Sequence, residues 1–117
     1  MDAIEIADEV GGMFDILKQT LNRDINSLCT ELDVASQLLA RSAELLADAQ
    51  YIVDKKRGEC AEKYVDTSAT MMRELLAGDI AEEARLLKQC EKLNSTIVHR
   101  IDSIRSILSA EKELKKL

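Results

Sequence analysis

Between Phe14 and Val53 apolar or small side chains return every three or four residues along most of the run: Phe14, Leu21, Ile25, Leu28, Leu32, Ala35, Leu39, Ser42, Leu46, Ala49 and Val53. That is a heptad rhythm, and it predicts one long helix over residues 13–57. With Ile25, Leu32, Leu39, Leu46 and Val53 at position a, the preceding residues Leu38, Leu45 and Ile52 fall at g and widen the apolar stripe beyond a two-stranded seam. A stripe of that width belongs to a bundle helix. Lys55, Lys56 and Arg57 then put cations at the negative end of the helix, and Gly58 supplies a residue that tolerates the left-handed C′ conformation, so the first arm is expected to stop there.

Helical spacing resumes in Tyr64, Val65, Met71, Met72, Leu75 and Leu76, and Gly78 can break this second arm, with Asp79 and Glu82 opening a new helix as a variant of the capping box. From there a second seam runs through Ile80, Leu87, Asn94, Ile101 and Leu108 at a, and Cys90, Ile97 and Ile104 at d, widened by Leu86, Leu93 and Ile107 at g. The expected fold is therefore all-α: a long, coiled-coil-like antiparallel hairpin turning at Gly58, each arm spanning roughly 70 to 85 Å at ~1.5 Å per residue. Leu28 would then lie opposite Leu87, and Cys29 level with Cys90. The same drawing brings the acidic first fifteen residues, with Asp2, Glu5, Asp8, Glu9 and Asp15, beside the basic stretch 99–117. "EVGGMF" reads as a hinge leaving residues 1–12 as a mobile N-terminal arm, or else as a bent first turn.

Composition agrees with helices. Proline is absent, glycine occurs four times, and aromatics are confined to Phe14, Tyr51 and Tyr64, which suits helix seams rather than a β-sandwich. The 117 residues make one expected domain, 1–117. A net charge of −6 argues against nonspecific nucleic-acid binding, which needs cations to displace phosphate counterions. The N-terminus lacks the basic region and apolar core of a signal peptide, and no apolar run approaches the ~20 residues of a spanning helix. Three cysteines without a C-x-x-C fit a reducing compartment, so a cytoplasmic protein without membrane contact is expected.

Candidate chemistry is sparse. Cys90 and the only histidine, His99, are nine residues apart and fall on opposite sides of a helix. A di-iron bundle needs Glu-x-x-His from two helices, but Thr96 stands where that glutamate would be. No P-loop, Rossmann turn, H-E-x-x-H helix or nucleophile elbow is present, so no catalytic residue, metal or cofactor is expected. Cys29, Cys60 and Cys90 recur at near-equal intervals, yet their flanking residues share too little to form a repeat. Asn94 begins an Asn-Ser-Thr sequon inside the helix pattern; it is more telling as a polar a residue, which needs a partner and so fixes register and assembly state.

The stretch "LLAGDIAEEARLLKQCEKL", residues 75–93, resembles the leucines, Gly-Asp turn and helix of flagellar export chaperones of the FlgN kind. The resemblance implies an export-type chaperone. The residues themselves imply a non-enzymatic interaction or assembly protein whose seam is Leu32, Leu39, Leu46 and Val53 on one arm, and Leu87, Asn94, Ile97, Ile101, Ile104 and Leu108 on the other. Two helices alone leave Leu38, Leu45, Ile52, Leu86, Leu93 and Ile107 partly wet, so the hairpin is expected to form a homodimeric four-helix bundle or to take a helical segment of another protein, unless the middle of the chain folds back over them. The alternatives are a regulatory helical module holding a small ligand, and a subunit completed by another chain.

Overall fold

In the computed structural model, which describes residues 1–117, short polar side chains open three of the four helices. Asp2 accepts a hydrogen bond from the Glu5 N–H at 2.9 Å and starts α1, Ala3–Leu17. Asp24 accepts from the Ser27 N–H at 3.1 Å and starts α2, Ile25–Ala61. Ser68 accepts from the Met71 N–H at 3.3 Å and starts α3, Ala69–Asp79. The fourth helix, α4, Ala81–Lys115, has no side-chain cap because it scarcely begins anew. The Ile80 N–H still donates to the Leu76 carbonyl, the Ile80 carbonyl accepts from Ala84, and only Ile80 itself departs from helical geometry, at φ −104° and ψ 12°.

α2 and α4 run antiparallel and make the body of an elongated molecule, 73 × 26 × 18 Å. Three cross-links mark their register from the turn toward the open end, Lys56 with Glu83, Ser42 with Asn94 and Glu31 with Arg100, and Arg23 just ahead of α2 reaches Glu111. α1 folds back along this pair, antiparallel to α2, so that Glu9 reaches Arg41 while Arg100 donates to the Leu17 carbonyl. Ile6, Val10 and Met13 of α1 thereby join one core with Leu28, Ala35, Leu45 and Ala49 of α2 and the row from Leu86 to Leu108 of α4. Each fully buried aliphatic side chain contributes about 1.5–3 kcal/mol.

The helices of the predicted seams form, but their limits differ. No residue, glycine included, has a positive φ, and α2 runs on through Gly58 to Ala61. The chain turns instead after a 3-10 turn at Glu62–Tyr64, where the Tyr64 carbonyl accepts from both the N–H and the hydroxyl of Thr67. Gly78 does not break the second arm; the break is at Ile80. Asp79 is the last residue of α3 rather than a cap, and its carboxylate accepts the Tyr64 hydroxyl at 2.5 Å.

Moving the turn shifts the register. Asn94 faces Ser42, so Cys90 lies near the level of residue 46 rather than Cys29, an offset of roughly 25 Å at ~1.5 Å per residue. The first arm is shorter than expected, since α2 holds 37 residues, about 55 Å, whereas α3 and α4 together, residues 69–115, approach the expected length at about 70 Å. Residues 1–12 are not a free arm: α1 continues through Gly11 and Gly12, and Ile6 is fully buried. Nor does the acidic N-terminus meet residues 99–117 through its carboxylates, because Glu9 pairs with Arg41 of α2.

Candidate interaction surface

Every residue of the predicted seam lies against the body of the chain itself. Val53, Ile97, Ile101, Ile104 and Leu108 are buried, and Leu32, Leu39, Leu46, Leu87 and Asn94 are half-buried. Leu45, Leu86 and Leu93, expected to remain wet in a bare hairpin, are buried as well, while Leu38, Ile52 and Ile107 stay half-buried. The cover comes from α1 rather than from the middle of the chain. The predicted seam is thus the internal core of the hairpin.

Asn94 illustrates the change of role. Its Nδ2 donates to the Ser42 hydroxyl at 3.0 Å, and that hydroxyl donates to the Leu39 carbonyl at 2.9 Å. Ser42 is the one fully buried polar side chain. Sliding either helix by a turn would part the amide from its partner, so the pair sets the register of α2 against α4 within one chain.

Two arginines tie α1 in place. Arg41 grips Glu9 with both Nε (2.7 Å) and Nη2 (3.1 Å) and reaches Glu44 with Nη1 (2.7 Å), and these hydrogen bonds to the two carboxylates raise its pKa further. Arg100, whose side chain is only 12% exposed, donates to the carbonyls of Leu17 (3.1 Å) and Gln19 (3.2 Å) and faces Glu31 at 3.5 Å. It satisfies carbonyls that the end of α1 would otherwise leave orphaned. Arg100 occupies the same g row as Leu86, Leu93 and Ile107, and a cation in that row is the sequence signal for it.

The turn end of the hairpin is built differently. No residue of α3 is buried. Val65, Met71 and Leu75 are exposed to 75%, 48% and 38%, while Met72 and Leu76 turn half-buried toward α2. A shallow apolar groove of about 360 Å³ runs between Arg57, Met72, Arg73, Leu76 and Ile80. Lys56 and Glu83 join at 2.8 Å where this tip meets the body, and the pairing holds the Glu83 carboxyl below its usual range. A larger open notch of about 880 Å³ lies between the start of α1 and the tip; Lys56 pairs there with Glu83 and Asp2 accepts from the Glu5 N–H, while Asp48, Lys55, Glu59 and Lys63 on its walls form no ion pair. His99 and Cys29 are exposed, Cys90 is fully buried, and no three His, Cys, Asp or Glu side chains gather as metal ligands. No helix is long and apolar enough to cross a membrane.

Comparison with known proteins finds no family model, no curated protein and no solved structure that matches this chain. The Gly-Asp pair of the stretch 75–93 lies inside the last turn of α3, which continues almost directly into α4.

Proposed function

We propose that the protein is a non-enzymatic helical interaction protein that presents α3, at the tip of a rigid hairpin, to a helix of another protein. The observation that carries this reading is the unburied α3 with its row of exposed Met71 and Leu75. Methionine and leucine on one exposed helix face are adaptable apolar contacts of the kind that accept partner helices. Arg57 and Arg73 at the groove favour a partner helix with acidic residues flanking its apolar face. An assembly or export-type chaperone in the cytoplasm, working as a homodimer, is the most concrete form of the proposal.

The test is affinity capture with two baits, the natural chain and a Met71→Ser/Leu75→Ser variant that alters exposed positions. The captured segment is then rebound to purified protein. A partner held by the first bait and lost by the second supports the proposal. Capture that is identical for both baits removes α3 as the binding surface.

A further inference from the structure

The seven residues between α1 and α2, Lys18–Asp24, form no helix, yet they contain neither glycine nor proline. The apolar rhythm also crosses them without a break, through Leu17, Leu21, Ile25 and Leu28. They are a segment with the pattern of a helix, held in a bend. What holds it is Arg100, bonded to the carbonyls of Leu17 and Gln19, together with the Asp24 cap on Ser27. In a straight helix those carbonyls would be taken by N–H groups four residues on, and the arginine would not be needed there.

We infer that the groove between α2 and α4 receives α1 of a second copy of the chain, through straightening of residues 18–24 into one helix that runs from α1 into α2. The register of the closed form allows this. Glu9 pairs with Arg41, and the midpoint of that pair is residue 25; Leu17 and Glu31, bridged by Arg100, have residue 24 between them. Two straightened helices crossing antiparallel at residues 24 and 25 reproduce the Glu9–Arg41 pairing between copies and bring residue 17 level with residue 31, with Arg100 released from the Leu17 carbonyl. Ile6, Val10 and Met13 then enter the partner's core as they enter their own in the closed chain. Exchange of an identical element creates a dimer with the same α1 contacts and a new helical segment in place of the bend. This gives a route to the proposed self-association, rests on that part of the reading alone, and leaves the tip free in both forms.

The experiment uses the full chain with its cysteines replaced by serine, and Glu9→Cys and Arg41→Cys joined by a short bis-maleimide. Mass is measured by light scattering coupled to size exclusion after refolding at high protein concentration. In a dimer made by exchange the cross-link joins two chains, and it stays within one chain in the monomer. Arg100→Met should raise the dimer association constant by about tenfold or more, the scale of losing a charge-assisted hydrogen bond from one form only. Because that variant also touches the core, a second variant deletes Lys18–Asp24, one heptad, which removes the bend while keeping the apolar phase; it should be an obligate dimer. A dimer whose cross-link stays within one chain overturns the exchange and leaves self-association standing. Monomers throughout, the deletion included, overturn both.

Discussion

The body of the hairpin and its tip are made from the same kinds of helix, and only the body is finished. Along the body each apolar row meets two others: α4 faces α2 with Ile97 and Ile104, and α1 closes the remaining side with Ile6, Val10 and Met13. At the tip α3 meets α2 alone, and half of its apolar face stays in water. Three rows can enclose a core of aliphatic side chains, whereas two leave each helix with a wet flank. The third row determines where the molecule is stable and where it is available.

The largest test of that contrast is truncation of one leucine in each region. Leu93→Ala, at a fully buried position, should lower unfolding free energy by about 2–5 kcal/mol, and Leu75→Ala on α3 should change it by less than about 0.5 kcal/mol, both read from urea denaturation. Equal losses would mean that the tip is packed as tightly as the body. A middling effect comes from α1, where Gly11 and Gly12 have open space around any added Cβ. Replacing both with alanine should stabilise the helix by about 1 kcal/mol each, since glycine inside a helix loses that much to backbone entropy. The gain should shorten the exposure of Cys90 to thiol reagents and leave the more exposed Cys29 unaffected.

The smallest effect is at the boundary of the two regions. Lys56 holds the Glu83 carboxyl below its ordinary value of 4.5, so the folded form binds that proton less readily than the unfolded chain. The contribution is present above the unfolded value and fades as pH falls through the folded one. Burial pushes the Cys90 thiol above its ordinary 9.0, so its contribution is complete below that value and is lost as pH rises through the folded one. Denaturation midpoints should therefore drop on both flanks; Lys56→Met should flatten the acid flank and also remove the strongly alkaline share that comes from Lys56, whose pKa Glu83 raises, while the Cys90 share remains. An unchanged acid flank would show that the ion pair does not hold tip to body.

The helical class and both seams were legible because heptad spacing survives any choice of partner: Leu28, Ala35 and Ala49 are buried as their positions demand, as are Cys90, Ile97 and Ile104. The turn was misplaced because Gly58 is a stronger local signal than the Asp66-Thr67-Ser68 cluster, in which Thr67 closes the bend and Ser68 caps α3. A helix packed against another can carry a glycine for about 1 kcal/mol, and α2 does. α1 was hidden for the opposite reason. The rhythm through Leu17, Leu21 and Ile25 reads as uninterrupted helix, and the bend depends on Arg100, more than 75 residues away in sequence. No local pattern reports a contact of that range. The tip was visible only as residues, since Met71 and Leu75 have the same spacing as core positions and become surface only because nothing in the chain reaches them.

The fold-back of α1 also orders events in time. Ribosomes deliver this helix before its groove, whose walls include Leu86 and Leu93 and so emerge later. The contacts between the two arms lengthen in sequence from Lys56 and Glu83 to Arg23 and Glu111, so closure proceeds most easily from the turn toward the open end. α1 must therefore wait, its apolar face unburied, through synthesis and through the zippering of the hairpin. During that interval nascent chains growing side by side on one message carry matching helices and half-built grooves within reach of one another.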